Sequence, residues 1–115
     1  TAIGVAMAKG PTVALIGDLT LLHDANGLNK TDLPDIELKL VVGNDKGGHI
    51  FTRLEIANEI DGDVFDRLFK TAQAVDLAKL AQAYGWKYVV CENLGELEKA
   101  MTLRGAVIID YQLVD

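Results

Sequence analysis

The chain has 115 residues, 50% of them hydrophobic and 24% charged, with 11 basic against 17 acidic side chains for a formal net charge of −6. This is a globular composition for one domain with one core, and at this size roughly two-thirds of the unfolded surface is buried on folding. The acidic balance argues against a nucleic-acid or anionic-membrane surface, and no apolar run approaches the ~18 residues of a membrane-spanning helix.

Small and apolar residues from Thr1 to Lys9 predict a helix that stops at Lys9-Gly10-Pro11. Thr12 to Ile16 (TVALI) is a short continuous apolar run of the kind carried by a strand buried on both faces. Asp18 to Asn29 predicts a short helix ending in a polar turn. Beyond a loop with Pro34, Ile36 to Val42 predicts a second strand, alternating at first and then wholly apolar, so that it enters the core as it proceeds. Gly43 to Gly48 is dense in turn formers. Thr52 to Ala74 is the least regular stretch, with one helix expected over Val64 to Lys70. Val75 to Tyr84 places Val75, Leu77, Ala78, Leu80 and Ala81 at helical spacing ahead of Gly85. Lys87 to Cys91 predicts a third strand, Leu94 to Leu103 a charged amphipathic helix, and Ala106 to Ile109 a fourth strand. Strands separated by helical segments define an α/β fold, a mainly parallel sheet flanked by helices.

The single cysteine, Cys91, excludes an internal disulfide framework and a cysteine-built zinc site, and a reduced, cytoplasmic setting is the expectation. The sequence opens on Thr1 inside a helical pattern and closes at Asp115 shortly after an apolar run, whereas domains usually start and end in polar surface segments. The expectation is therefore one domain, residues 1–115, belonging to a larger multidomain protein.

In parallel α/β sheets ligands bind beyond the carboxyl ends of the strands. Gly17-Asp18-Leu19-Thr20 follows the first strand and Asn44-Asp45-Lys46-Gly47-Gly48 the second, with Asp18 and Asp45 27 positions apart, one strand–helix–strand unit. Two carboxylates converging there repel unless a cation or a shared proton intervenes. A hard cation such as Mg²⁺ takes carboxylate and carbonyl oxygens together with those of a phosphorylated ligand. Backbone amides after Asp18 and in the Gly47-Gly48 turn offer donors to such phosphates. Taken singly, Asp18 reads more simply as a helix N-cap and Asn44-Asp45 as a turn; their joint occurrence at equivalent strand ends is the stronger signal.

At these residues the sequence resembles the thiamine diphosphate enzymes, whose motif starts Gly-Asp-Gly and ends, one strand–helix–strand unit later, in Asn-Asn. The segments TAIGVAMA, ALIGDLTLLHDANGL, VVGNDKGGHIF and AVDLAKLAQAY are similar to the C-terminal cofactor domain of one branch, the 2-succinyl-5-enolpyruvyl-6-hydroxy-3-cyclohexene-1-carboxylate synthases of menaquinone biosynthesis. In that branch Leu stands at the third motif position, as Leu19 does here. The resemblance implies a thiamine diphosphate-binding fold and, as cofactors, thiamine diphosphate with Mg²⁺ or Mn²⁺. It implies Asp18 as the first metal-ligating carboxylate, Asp45 at the second ligand position and the Gly47 carbonyl as a third. Gly17, Leu19 and Thr20 match positions beside the diphosphate, and Ile50 and Phe51 match apolar residues beside the thiazolium and the substrate. Asn44, Gly48 and His49 complete the implied cofactor-binding stretch. Asp45 departs from the general Asn-Asn pattern and His49 from a commonly seen Gln, which leaves metal preference and the role of His49 open.

The resemblance further implies a transferase that decarboxylates 2-oxoglutarate and adds the succinyl-semialdehyde carbanion to isochorismate, working as a homo-oligomer (dimer or tetramer). The glutamate that activates the cofactor belongs, in the family, to the N-terminal domain of a partner subunit, so none of the catalytic residues is expected within these 115 residues, and the chain alone is expected to be inactive. The alternatives are another thiamine diphosphate enzyme (an acetohydroxyacid synthase or a 2-oxoacid decarboxylase), a non-catalytic α/β module for a phosphorylated ligand, and a structural domain whose loops bind nothing. Among other residues, Cys91 reads as a buried inert thiol, His23 as a surface or packing residue, and Tyr84 and Trp86 as packing at a helix-to-strand turn. Glu96, Glu98 and Lys99 read as a solvated helix face. Arg53 and Arg67 are favoured as surface residues, with carboxylate binding as the alternative.

Overall fold

A computed structural model of the chain describes residues 1–45 and 75–113. The helix expected over Val64 to Lys70, together with Arg53 and Arg67, lies outside the described residues. Four strands form one sheet in the order β1-β2-β4-β3, every pair parallel: β1 (Thr12–Gly17), β2 (Leu38–Asn44), β3 (Lys87–Cys91) and β4 (Ala106–Gln112). Helices α1 (Ala2–Lys9), α2 (Asp18–His23), α3 (Leu77–Ala83) and α4 (Leu94–Ala100), with a 3₁₀ turn at Ala25–Leu28, make the connections.

Strand alternation sorts the core into two layers. On one face Leu38, Leu40 and Val42 of β2 and Ile108 of β4 pack with Ala6 of α1, Leu21 of α2, Leu28 of the 3₁₀ turn, and Leu77 and Ala81 of α3. On the other face Val41, Val107, Ile109 and Cys91 pack with Ala100 of α4. Helices on both faces of a parallel sheet make the α/β architecture expected from the sequence. Trp86 seals the first layer, its indole Nε1 donating to the Leu28 carbonyl at 2.8 Å, while the Tyr84 hydroxyl donates to Asn26 Oδ1 at 3.0 Å. The two aromatics thus pin the α3–β3 turn to the 3₁₀ turn.

The local signals explain most element boundaries. Gly10 (φ +90) and Gly85 (φ +75) adopt left-handed conformations after α1 and α3, which a β-carbon would oppose. Asp76 caps α3 by accepting the Lys79 amide at 3.1 Å, and Asn93 caps α4 by accepting the Glu96 amide at 2.9 Å.

Four expectations need correction. The Asp18–Asn29 segment is two pieces, α2 and the 3₁₀ turn. The helix expected through Leu103 ends at Ala100, because Met101 and Thr102 turn the chain with Thr102 Oγ1 donating to the Lys99 carbonyl. β4 runs three residues beyond Ile109, since Asp110, Tyr111 and Gln112 continue the pairing with Val42, Gly43 and Asn44. β1 is not buried on both faces: it stands at the edge of the described sheet, with Val13 54% and Leu15 78% exposed while Ala14 and Ile16 face the core.

Candidate cofactor and metal site

The parallel register makes Gly17 and Gly43 direct partners at the carboxyl ends of β1 and β2. The chain continues into Asp18 on one side and into Asn44 and Asp45 on the other, so the two halves of the predicted pair open from neighbouring strand ends. Gly17 holds an extended backbone (φ −84, ψ 162) and occupies the N-cap position of α2, which leaves Asp18 as the first helical residue. Asp18 therefore stands one residue past the N-cap position that the simpler reading assigns to it. A carboxylate at that position is favoured by the positive end of the helix, though α2 is only 6 residues long. Asp18 is 3% exposed and Asn44 6% exposed, whereas Asp45 is half-buried. Burying a carboxylate is costly without partners, and among the described residues no buried side-chain polar atom lacks a hydrogen bond.

Asn44 belongs to a strand rather than to the turn expected over Gly43 to Gly48. Its carbonyl accepts the Leu113 amide at 2.8 Å, and pairing with β4 carries β2 through Gly43 and Asn44. Leu19 is half-buried, and Thr20 is exposed on a groove lined by residues of α1, β1 and α2. Gly47, Gly48, His49, Ile50 and Phe51 lie outside the described residues.

Among the described residues no group of three or more His, Cys, Asp or Glu side chains is gathered for a metal. Asp18 and Asp45 bring two carboxylates to adjacent strand ends. Both are hard oxygen donors, which fits Mg²⁺ or Mn²⁺ rather than a thiophilic ion.

Sequence reading passed over another buried acid. Asp110, 3% exposed, sits on β4 opposite Val42 and accepts from Asn44 Nδ2 at 3.0 Å, Gln112 Nε2 at 2.9 Å and the Tyr88 hydroxyl at 2.5 Å. Burial, and then the bond to Asp110, push the Tyr88 hydroxyl well above its ordinary range. Cys91 is fully buried as expected, and burial raises its thiol. His23, Glu96, Glu98 and Lys99 are exposed, in line with their surface readings.

A parallel α/β domain with acidic residues at two adjacent strand ends suits a phosphorylated, metal-bridged ligand, and the sequence comparisons fall in the same place. The family described as thiamine pyrophosphate enzyme, C-terminal TPP binding domain, matches residues 1–110, and the chain belongs to it. Within that family it is 44% identical to a 2-succinyl-5-enolpyruvyl-6-hydroxy-3-cyclohexene-1-carboxylate synthase of Clavibacter michiganensis subsp. michiganensis, over 99% of this chain and 21% of that protein. Proteins of the same name from Leifsonia xyli subsp. xyli (40% identical, 98% of this chain, 22% of that protein) and Synechocystis sp. (42%, 86% and 16%) are also similar. The chain thus spans about a fifth of the length of these relatives.

Among solved structures, benzoylformate decarboxylase from Polynucleobacter necessarius superposes with a TM-score of 0.71 at 22% identity, over 98% of this chain and 22% of that one. A thiamine diphosphate-dependent 4-hydroxybenzoylformate decarboxylase of Rhodococcus jostii gives 0.74 at 16% identity, over 96% and 21%. At these identities the likeness is one of fold alone, the parallel α/β arrangement.

Proposed function

We propose that this chain is the diphosphate- and metal-binding domain of a thiamine diphosphate-dependent synthase that decarboxylates 2-oxoglutarate and joins the resulting four-carbon unit to isochorismate. The observation that carries the binding role is the register of Gly17 with Gly43, which delivers buried Asp18 and half-buried Asp45 to adjacent strand ends. The similarity to synthases of that name supports the choice of reaction; the structural neighbours, a benzoylformate decarboxylase and a 4-hydroxybenzoylformate decarboxylase, support the fold only.

When bound, thiamine diphosphate supplies the electron sink for decarboxylation. The part played by this chain is to hold it. Asp18, Asp45 and the Gly47 carbonyl would ligate Mg²⁺ or Mn²⁺, which neutralises the diphosphate that two carboxylates alone would repel. Gly17, where a β-carbon would come no nearer than 3.9 Å to Thr20 Oγ1, leaves the end of β1 open for a phosphate to approach backbone, whereas Leu113 fills the space beside Gly43. Leu19, Thr20, Asn44, Gly48 and His49 would flank the diphosphate, with Ile50 and Phe51 beside the thiazolium. The domain occupies residues 1–115, and the remaining site residues come from outside it, from the N-terminal domain of a partner subunit in a cytoplasmic homo-oligomer. The 115-residue chain by itself is accordingly inactive.

Isothermal titration of the full-length protein with thiamine diphosphate, with and without Mg²⁺, tests the binding role. Wild type should bind in a metal-dependent way, and Asp18→Ala should abolish that dependence; binding indifferent to both metal and Asp18 overturns it. A substrate panel of 2-oxoglutarate, pyruvate and benzoylformate tests the reaction. Decarboxylation of pyruvate or benzoylformate in preference to 2-oxoglutarate would assign the protein to another thiamine diphosphate activity.

A further inference from the structure

Asp110 lies on none of the segments that carry the cofactor motif, yet it is one of the most deeply buried charged groups among the described residues. Its two oxygens collect donors from three strands: Asn44 at the end of β2 and Gln112 at the end of β4 on Oδ1, and Tyr88 of β3 on Oδ2. Asn44, Tyr88, Asp110 and Gln112 occupy even positions on the strands and so share one face of the sheet. One carboxylate therefore ties the carboxyl ends of β2 and β4 to each other and to β3, at the end of the sheet where the proposed ligand site opens. Stability alone gives weak reason to keep it, since apolar groups of similar shape often serve as well in place of buried polar networks.

The bond to Asn44 gives the reason. With an N–H of Nδ2 committed to Asp110 at 3.0 Å, the plane of the Asn44 amide is set, and with it the position of its acceptor oxygen. The Asn44 carbonyl is fixed separately by the Leu113 amide. Both ends of the residue immediately before Asp45 are thus anchored to β4 and the residue after it. We propose that Asp110 is a positioning residue for metal and diphosphate binding, acting through Asn44 to aim Asp45. It plays the part of an outer-layer partner that orients a ligand it does not replace. This rests on the reading of Asp18 and Asp45 as the metal-holding pair.

The test is Mg²⁺ titration of the full-length protein at saturating thiamine diphosphate, with the melting temperature of the metal-free protein measured alongside. Asp110→Asn, which keeps shape and removes the charge, should raise the Mg²⁺ dissociation constant about tenfold or more. Asn44→Ala should do likewise, and the double variant should be no weaker than the poorer single one, because both changes break a single chain of contacts. Should Asp110→Asn fold poorly, Asp110→Glu supplies the same comparison, with its acceptor displaced by one methylene. A lowered melting temperature with an unchanged Mg²⁺ constant, or losses from positions 44 and 110 that simply multiply, would overturn the proposal. Asp18→Ala and Asp45→Ala run in parallel separate the two readings. If they abolish Mg²⁺ binding while the position-110 variants do not weaken it, Asp110 alone is misassigned. If they too leave the constant unchanged, the metal-site reading fails and takes this proposal with it.

Discussion

At the level of single residues, what a side chain does here depends on where the sheet register sends it. Tyr88 is an ordinary aromatic in a short strand until β3 aligns it beside β4, where its hydroxyl meets Asp110. Its acidity is suppressed chiefly by burial and then by that carboxylate. The proton is held more tightly in the folded state than in the unfolded one, whose value is the ordinary 10.0. The resulting stabilisation is fully present below pH 10 and is lost as pH rises beyond it. Urea unfolding on either side of pH 10 should therefore show a smaller alkaline loss of stability in Tyr88→Phe than in wild type; equal losses would mean that the hydroxyl is not held in this way. The same dependence on register explains what sequence reading could and could not find. Asp18 and Asp45 stand out because the turn signals around them are local, and Cys91 reads as buried because its neighbours are apolar. Asp110 carries no local mark: its partner Asn44 lies 66 positions away, and only strand order brings them together.

At the level of elements, caps and glycines carry most of the legible information, and strand environment carries least. The sequence Asn93-Leu94-Gly95-Glu96 shows the spacing of a helix start, and the structure uses both polar residues: Asn93 Oδ1 accepts the Glu96 amide while Glu96 Oε2 accepts the Glu92 amide at 2.7 Å. Asn93→Ala should cost about 1 kcal/mol of unfolding free energy by denaturant titration, in the range of lost N-caps, while Asn93→Ser should keep most of it. α4 is exposed apart from Ala100 and the half-buried Leu97, so little packing is available to mask the loss. β1 shows the opposite case. TVALI has the composition of a central strand, and nothing within it reveals that β1 lies at the edge of the described sheet; edge position is a property of topology.

At the scale of the whole, the described residues form three layers, with more helices on one face of the sheet than on the other. α1, α2, α3 and the 3₁₀ turn cover one face, and α4 covers the other over β3 and β4. Ile108, fully buried at the centre of the better-covered layer, should cost about 2–5 kcal/mol when replaced by Ala, the range for truncated core side chains. Val13 and Leu15 stand on the thinly covered side. Exposed apolar edges invite association, so the 115-residue chain should scatter light increasingly with concentration. Leu15→Lys should reduce that scattering with little change in melting temperature; scattering unaltered by the substitution would place the sticky surface elsewhere.

The Asn44–Asp110 bond also has a consequence in time. During synthesis β1 and β2 emerge before β3 and β4, and the first two strands can pair as soon as both are out. Position 110 is made much later, after β3 and α4. Until β4 enters between β2 and β3, the Asn44 amide lacks its bond to Asp110, and contacts this distant in sequence are slow to form. If Asp110 positions Asn44 as proposed, that support is completed only when the last strand of the described sheet is in place.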